Sequence, residues 1–385
     1  MERDAPFLRR MRVTGYKSIV SCEVVFTPLL ILLGPNGAGK SNVLDTLRFV
    51  KDALNSTPAD ALAVRGGLDE VLRQAPDALD EFAILLEFGT EMEGEPASVE
   101  YGFTIGRDPT GQRSLVVREE RCVIRRDEPG SGELRFEVSA GAVAGEGNIE
   151  HDRLYLPLAA TRWNFSDVYH DLRYMLFHHL DVDQMRRFQP SQRTGRIGYS
   201  GKHIGPVLGE LAFRYPVFKA RVDDYLGAMV PEALGMDERL VDKYSAVELR
   251  TRDAGRPFGP EAVSVGTLHA AGVLAALFQP AVLDGQAKLV AIEEPETALH
   301  PAAAGALFDA LTEASELVQV VITTQSAELL DRDGVDPASV RVVAMENGVT
   351  VVGEIDGVSR ALLEERHATL GELLRDGQLR PETGA

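Results

Sequence analysis

The chain has 385 residues, 44% of them hydrophobic, which is enough for one large domain or two smaller ones with a buried core. It carries 40 basic and 59 acidic residues, a formal net charge of −19, so it repels nucleic acid unless basic residues are gathered locally. Cys22 and Cys122 alone build neither a disulfide framework nor a zinc site. Without an apolar leader or a run of about eighteen apolar residues, we expect a reduced cytoplasmic protein outside any membrane.

The first predicted elements are strands, a glycine-rich loop and a helix. Residues 7–16 and 24–26 are predicted to be extended. Residues 28–33 are a continuous apolar run, typical of a strand buried on both faces, and this run leads directly into Gly34. After Lys40, the spacing of the apolar residues predicts an amphipathic helix, with its buried face formed by Val43, Leu44, Leu47 and Val50.

The middle of the chain changes character twice. Residues 81–139 predict antiparallel β structure, because short extended segments are separated by turns that contain Gly or Pro. Residues 140–150 are small and Gly-rich, which favours a linker. From 163 to 230 the pattern is helical, irregular and rich in arginine, and strand-like segments return at 238–250.

The C-terminal part alternates helices and strands. Ser264 begins a predicted helix that ends before Pro280, and residues 289–292 form another buried strand. The remaining predicted elements are a helix over 301–316, a strand over 318–323, strands near 340 and 350, and a helical tail. This alternation, with the antiparallel segment before it, indicates an α/β protein.

The residues from Gly34 to Ser41, Gly-Pro-Asn-Gly-Ala-Gly-Lys-Ser, fit the phosphate-binding pattern G-x-x-x-x-G-K-[ST]. Glycines let backbone N–H groups turn inward around phosphates, and a helix that starts near Gly39 adds the positive end of its dipole. Lys40 is expected to reach the β- and γ-phosphates and act in catalysis, and the Ser41 hydroxyl to bind Mg²⁺. The alternative is an ordinary Gly-rich turn, which the flanking strand and helix disfavour. The predicted nucleotide contacts are Gly34, Pro35, Asn36, Gly37, Ala38, Gly39, Lys40, Ser41 and Asn42.

Two carboxylates stand at the end of the predicted strand 289–292, in Leu-Val-Ala-Ile-Glu-Glu-Pro. Ligands bind at this end of the strands in open α/β sheets. We expect Glu293 to hold Mg²⁺ and Glu294 to orient and deprotonate the attacking water. A solvated pair of acids at a strand end is the alternative, and the presence of a phosphate loop favours the catalytic interpretation.

Together the two motifs resemble the core of ABC-type ATPases of the RecF, SMC and OLD-like group. The loop resembles the SMC and RecF form, in which Asn and Leu-Asp follow the serine, as Asn42, Leu44 and Asp45 do here. The resemblance implies an α/β P-loop ATPase head with an antiparallel β subdomain and an inserted, mainly helical region. It also implies ATP and Mg²⁺ as cofactors, and a head-to-tail homodimer, or a higher oligomer, closed around ATP.

The same resemblance divides the chain into three segments. Residues 1–150 correspond to the N-terminal half of the head, 151–260 to the inserted region with a basic segment, and 261–385 to the C-terminal half. The segment between the halves is short and has no heptads, so we expect no long coiled-coil arm. After residue 331 only about fifty residues remain, too few for the nuclease domain of OLD proteins, and we expect none.

Further site residues follow from the resemblance. Ser264 and Gly266 resemble the short signature that contacts the γ-phosphate held by the other protomer, although Ser264 is also a good helix cap. Arg65 is expected either to contact ATP or sense DNA, or to be an exposed turn arginine. Gln325 stands where the family usually has a switch His; because Gln cannot carry a proton charge, slow hydrolysis is expected. No residue is assigned to the family's Q-loop.

Residues 186–202 contain five basic side chains and no acid, with Phe188 and Tyr199 among them. A basic segment with aromatic residues can grip a nucleic-acid backbone and stack bases. A solvated loop and a surface for an acidic partner protein are the alternatives. The candidate DNA contacts are Arg186, Arg187, Arg193, Arg196 and Lys202.

Two functions remain open at this stage. The first is an ATPase that dimerises around ATP and acts as a switch in DNA-associated processes such as repair or antiviral defence. The second is an ATP-gated scaffold that controls a separate effector protein and hydrolyses little ATP itself. A transporter subunit is disfavoured, because the signature lacks the usual two-glycine form and the loop resembles that of SMC heads.

Overall fold

A computed structural model describes residues 6–74, 80–111, 115–126, 132–143, 147–148, 150–161, 163–332 and 334–382 of the protein. In chain order the strands are β1 (Leu8–Tyr16), β2 (Ile19–Val25), β3 (Leu29–Leu33), β4 (Glu81–Met92), β5 (Glu95–Gly106), β6 (Val116–Arg126), β7 (Leu134–Ser139), β8 (Ala142–Val143), β9 (Gly147–Asn148), β10 (Leu176–His178), β11 (Gln189–Pro190), β12 (Ala233–Val241), β13 (Tyr244–Thr251), β14 (Leu289–Glu293), β15 (Gln319–Thr324), β16 (Val340–Glu346) and β17 (Val349–Gly353). The α-helices are α1 (Lys40–Asn55), α2 (Pro58–Ala63), α3 (Leu68–Val71), α4 (Leu156–Ala159), α5 (Ser166–Arg173), α6 (Val182–Arg186), α7 (Ile204–Arg214), α8 (Pro216–Met229), α9 (Val265–Phe278), α10 (Pro280–Leu283), α11 (Ala304–Ser315), α12 (Ala327–Leu330), α13 (Gly357–Glu364) and α14 (Leu370–Arg375).

A six-stranded sheet carries the two predicted motifs. Its strand order is β10-β14-β15-β3-β16-β17, and every neighbouring pair is parallel except β16 with β17. Strand β15 lies between β3, which leads into the glycine-rich loop, and β14, which ends in the two carboxylates. Because these strands are parallel, both motifs lie at the same edge of the sheet.

The continuous apolar run of β3 is explained by burial on both faces of this sheet. Leu30 and Leu32 pack into one core cluster with the apolar face of α1, and Ile31 and Leu33 pack into a second cluster with α9. Alternate residues of a strand point to opposite faces, so a strand covered on both sides must be apolar throughout. The predicted amphipathic helix is confirmed, since its four apolar positions are all buried in the first cluster.

An eight-stranded antiparallel sheet, of order β2-β1-β4-β5-β6-β7-β8-β9, forms the β subdomain. The predicted antiparallel segment is therefore confirmed. The linker predicted at 140–150 is wrong for the residues of β8 and β9, which form the last hairpin of this sheet. Small residues and glycines there reflect the tight turn at positions 140 and 141, both of which have positive φ.

Residues 151–260 combine helices with strands. Helices α4 to α8 lie here, together with the small sheet β11-β13-β12, and β10 extends the six-stranded sheet by pairing with β14. The α/β fold with its β subdomain is confirmed, whereas the boundaries of the three sequence segments stay a prediction. The edge strand β10 of the six-stranded sheet thus comes from residues 151–260, the segment that the sequence predicts to be an insertion.

Helix α9 is buried almost all round. In the described part of the chain, Val265–Leu283 is the stretch long and apolar enough to cross a membrane, and 89% of it is buried inside the fold. A helix that is apolar on every side is expected in the middle of a large core. Its composition is explained by its place between the six-stranded sheet and α7, α8 and α11.

Candidate nucleotide-binding site

The glycine-rich loop joins β3 to α1 and holds the shape that phosphate binding requires. The Gly34 N–H donates to the Thr324 carbonyl at 3.3 Å, which ties the start of the loop to β15. Gly37 and Gly39 have φ of +78° and +101°, and Gly39 caps α1. These left-handed conformations favour glycine, and they turn the N–H groups of the first helical turn toward the loop cavity.

Two of the glycines are also required by close approach of other strands. A Cβ on Gly34 would lie 2.1 Å from the Val343 carbonyl oxygen, and one on Gly39 would lie 2.0 Å from Thr350 Oγ1. The Thr350 hydroxyl donates to the Ala38 carbonyl at 3.0 Å. Strands β16 and β17 therefore pack directly against the loop. They leave no room for a side chain at Gly34 or Gly39.

Gly39→Ala is expected to cost more stability than Gly37→Ala, by about 1–3 kcal/mol, because the added methyl group would be overpacked against Thr350. Both positions have positive φ, but nothing lies within 4 Å of a Cβ on Gly37, whereas Thr350 blocks one on Gly39. Urea unfolding of the two variants measures the difference. Equal losses of stability would show that Thr350 moves aside freely.

Lys40 is the first residue of α1, directly after the loop, and is 5% exposed. Its ammonium donates to the carbonyls of Gly34 at 2.7 Å and Pro35 at 3.0 Å. Burial lowers the pKa of Lys40, while three carboxylates in the segment 293–296 oppose that shift. A single buried cation facing these acids suits the β- and γ-phosphates of a nucleotide.

The structure brings Ser41 and Glu293 together as the predicted Mg²⁺ pair. The Ser41 hydroxyl donates to Glu293 Oε2 at 2.7 Å, although 252 positions separate the two residues in sequence. The other carboxylate oxygen accepts from the Tyr199 hydroxyl at 3.2 Å. Mg²⁺ is usually bound by one or two protein oxygens, substrate phosphates and water, so this donor set fits the ion.

Glu294 follows in a left-handed conformation, with φ of +44°. Its N–H donates to both the carbonyl and the hydroxyl of Thr323, at 3.0 and 3.1 Å. Strained backbone at a non-glycine residue costs about 1–3 kcal/mol and persists where surrounding structure imposes it. Here β15 imposes it, turning the chain sharply so that the second carboxylate leaves the line of β14.

Glu296 is a site residue that sequence reasoning missed. It accepts from the Thr324 hydroxyl at 2.5 Å and from the Gln325 N–H at 3.4 Å, and its Oε2 is buried without a hydrogen-bond partner. Burial raises its pKa. Gln325, exposed at the end of β15, is thus held by its backbone beside the loop start, where its side chain lines a cavity with Gly34 and Pro35. The signal available in the sequence was a third acid, two positions after the predicted pair.

His179 is a second residue near the acidic strand end that the sequence did not assign to the nucleotide site. It follows β10, and β10 pairs with β14 in the register that sets His178 opposite Ile292. The His179 Nδ1 lies 3.9 Å from Glu293 Oε2, and its ring stacks near Tyr199. His178 is buried, which lowers its pKa to about 3. In the described part of the chain no cluster of three His, Cys, Asp or Glu is arranged to hold a metal.

Arg65 lies in the turn after α2, but its side chain is buried, so the alternative of a surface arginine is wrong. Its side chain is 5% exposed, and its guanidinium pairs with Asp45 at 2.9 Å and with Asp52 at 3.0 Å. A third donor is taken by the Ala61 carbonyl. Contact with ATP stays a prediction, and Arg65 already links α1 to α2. Asn42, on the same helix, donates to the Ser18 hydroxyl at 2.6 Å.

The predicted signature residues lie at the start of α9. Ser264 is exposed and caps the helix by accepting from the Thr267 N–H at 3.1 Å. A Cβ on Gly266 would lie 2.5 Å from the Ala298 carbonyl, so the loop after the acidic pair packs directly on this turn. Among the hydrogen bonds of the described residues none joins Ser264 to the glycine-rich loop, and a role toward the other protomer stays a prediction.

The basic stretch does not form one uniform patch. Arg186 donates to the Val263 carbonyl at 2.8 Å, and Arg193 lies 3.5 Å from Glu238. Arg196 packs on the Tyr174 ring at 5.3 Å, and its charge acts on Lys51 of α1. Arg187 and Lys202 are exposed. A count of charges along the chain could not show that two of the five serve folding contacts.

These features define a P-loop nucleotide-binding head with its acidic strand end in place. Over residues 29–331 the chain matches the family described as "AAA domain, putative AbiEii toxin, Type IV TA system". The chain belongs to this family. The family is one of AAA-type ATPase domains, and ATPases of this kind use ATP and Mg²⁺.

Known proteins agree with this assignment. A stretch of 57 residues is 42% identical to the chromosome partition protein Smc of Thauera aminoaromatica, which covers 14% of this chain and 4% of that protein, a small part of its length. The crystal structure of an SMC head bound to the C-winged helix domain of ScpA matches with a TM-score of 0.59 and 13% identity, over 92% of this chain and 99% of that one. The Smc head with an extended coiled coil bound to the C-terminal domain of ScpA, from Pyrococcus furiosus, matches with a TM-score of 0.54 and 13% identity, over 94% and 100%. The expected SMC-head fold is confirmed.

Proposed function

We propose that this protein binds and hydrolyses ATP with Mg²⁺, closes as a dimer around the nucleotide, and acts as a switch in DNA-associated processes such as repair or antiviral defence. The observation that carries the proposal is the contact of 2.7 Å between Ser41 and Glu293. It joins the phosphate loop to the acidic strand end, as a shared Mg²⁺ site requires.

Each residue of the site has a role in this scheme. Lys40 and the N–H groups of the loop bind the phosphates, and Mg²⁺ held by Ser41 and Glu293 would neutralise the charge that develops on them. Glu294, turned away from β14 by its backbone conformation, orients the attacking water and accepts its proton. Gln325 directly follows β15, the strand beside the one that leads into the loop, and from there it would donate a hydrogen bond to the γ-phosphate but no proton.

The dimer supplies what one chain lacks. Ser264 and Gly266 open α9 at the surface, and Val265 between them is half exposed. The helix start offers N–H groups to an anion held by a second copy. The packing of Ala298 on Gly266 ties this surface to the turn that carries Glu294. A head-to-tail dimer would therefore connect each signature to hydrolysis in its own chain.

Light scattering of the wild type and of Glu294→Gln, with and without ATP and Mg²⁺, tests the proposal. Glu294→Gln keeps the size of the side chain but removes the base, so we expect an ATP-dependent dimer that persists, while the wild type returns to its smaller form. The exposed Glu316→Gln should behave as the wild type. If the mass of Glu294→Gln does not respond to ATP, the sandwich is refuted.

The same locked preparation tests the DNA role. We expect it to retain duplex DNA at about 0.1 M salt, and we expect Arg187→Glu with Lys202→Glu to release the DNA, since both side chains are exposed. Arg186 is unsuitable for this purpose because it holds the Val263 carbonyl.

An ATP-gated scaffold for a separate effector is the second candidate. It is supported by Gln325 in the switch position and by the similar SMC heads, whose structures are described as bound to ScpA domains. A locked dimer that ignores DNA would favour it.

A further inference from the structure

A second cavity, of about 310 Å³, lies along the distal half of α1, away from the phosphate loop. Its walls are α1, the segment from Arg173 to β10, and the loop 196–199. Four cations line it, Arg48, Lys51, Arg173 and Arg196, with Asp52 as the single acid. We call this cavity the basic pocket. It is a concentration of positive charge in a chain whose net charge is −19.

The positive charges of the basic pocket are poorly compensated. Asp52 lies 3.7 Å from Arg48 but 3.0 Å from Arg65, outside the pocket, so its charge is shared. Within the ranges that the structure describes, no carboxylate lies within 4.0 Å of Lys51, Arg173 or Arg196. At least two net positive charges therefore face one cavity.

Such an arrangement works against folding. Lys51 is partly buried, and burial together with the nearby charges of Arg196 and Arg48 lowers its pKa to about 8, against the attraction of Asp52. Like charges held together in a partly buried site cost free energy unless an anion joins them. Residues that are costly to the fold and converge on a cavity are typical of a ligand site.

We propose that the basic pocket binds the phosphate group of a small phosphorylated ligand. Guanidinium groups match the geometry of phosphate oxygens through paired hydrogen bonds, and a partly buried lysine adds a point charge. A volume of about 310 Å³ corresponds to the small end of ligand cavities, which admits a mononucleotide or the end of a strand but not a duplex.

The basic pocket shares a wall with the nucleotide site. Arg48 lies over the Tyr199 ring at 3.7 Å, and the Tyr199 hydroxyl donates to Glu293 at 3.2 Å. Both residues also line a cavity of about 330 Å³ that includes Ser41 and Glu293. A phosphate that engages Arg48 would change the support that Tyr199 gives to Glu293. This coupling to ATP rests on the proposed function, whereas the binding of phosphate in the pocket does not.

The test measures binding of inorganic phosphate by calorimetry in the Lys40→Ala background, where the phosphate loop has lost its cation. We expect one phosphate per chain, and a dissociation constant at least about tenfold weaker when Lys51→Gln and Arg196→Gln are added. The matched pair Arg239→Gln and Lys243→Gln removes two exposed cations of the β12–β13 hairpin and should leave binding unchanged. AMP and a 5′-phosphorylated oligonucleotide, compared with the same oligonucleotide without its phosphate, distinguish a free nucleotide from a strand end.

A thermal unfolding measurement keeps the proposal testable if Lys40→Ala folds poorly. In the otherwise wild-type chain without phosphate, Lys51→Gln with Arg196→Gln should raise the unfolding temperature, because repulsion is relieved, and should reduce the stabilisation that phosphate gives. The proposal would be overturned if the double variant unfolded at a lower temperature than the wild type. It would also be overturned if the single change Lys40→Ala abolished phosphate binding. Loss of ATP binding by the basic-pocket variants would instead count against the separation of the two sites.

Discussion

Lys40→Ala is expected to weaken ATP binding at least about 30-fold, because truncating one partner of a buried charge pair costs about 2–5 kcal/mol. The ammonium of Lys40 donates to the loop carbonyls of Gly34 and Pro35, and the negative charges of the segment 293–296 act on it. Without it, the phosphates of ATP would meet these acids uncompensated. The loss of ATP affinity should therefore be larger than expected from the loss of the two hydrogen bonds that Lys40 donates to loop carbonyls.

Titration with a fluorescent ATP analogue measures this loss. Lys243→Ala, which removes an exposed lysine from the β12–β13 hairpin, serves as the control and should bind as the wild type does. The unfolding transition of Lys40→Ala is measured beside that of the wild type, so that a loss of folded protein is not counted as a loss of affinity. Affinity within about threefold of the wild type would show that the loop is not the nucleotide site.

The phosphate loop and the acidic strand end could be predicted because each is contiguous in sequence. An apolar run followed by G-x-x-x-x-G-K-S fixes strand, loop and helix locally, and the run before Glu293 does the same for β14. Their meeting at Ser41 and Glu293 also follows, because parallel strands of one sheet place their carboxyl ends together.

The contacts of His179 and Tyr199 with Glu293, which the sequence analysis did not predict, depend on pairing between distant segments. His179 reaches Glu293 only because β10 pairs with β14, and three residues of strand in an irregular region give no periodic signal. Tyr199 lies on a loop whose path is fixed by hydrogen bonds. One of them is donated by the His179 N–H to the Tyr199 carbonyl. Nothing in the local pattern indicates either contact.

Counting the charges of residues 186–202 along the sequence also could not predict the contacts that these side chains make. It identified the density of cations between 186 and 202, but the partners of those cations lie elsewhere in the chain. Glu238 is in β12 and Val263 precedes α9. Conversely, Arg48, Lys51 and Arg173 are distant from this stretch in sequence and join Arg196 at the basic pocket. Charge density along a chain predicts a patch only when the segment folds on itself.

Glu120→Ala is expected to lower the free energy of unfolding by about 3 kcal/mol or more, since each buried group that loses its hydrogen-bond partner costs about 1–3 kcal/mol. Glu120 lies in β6 and is 0% exposed. It accepts from the Tyr101 hydroxyl at 3.0 Å, from the Leu156 N–H at 2.9 Å and from the Tyr155 N–H. The Glu120 carboxyl thus holds the start of α4, where the chain leaves the β subdomain, against strand β6.

The pH dependence of this effect has a defined sign. Burial raises the pKa of Glu120 to about 7, above its ordinary value of 4.5. Between these two values the unfolded chain has released a proton that the folded chain still holds, so the contribution of Glu120 to stability falls as the pH rises through this window. Urea unfolding at pH 5 and pH 8 should therefore show a larger gap between wild type and Glu120→Ala at pH 5. Glu119→Ala, exposed on the opposite face of β6, should change stability by less than about 0.5 kcal/mol at both values. A gap that grows toward pH 8 would mean that Glu120 is ionised in the folded protein.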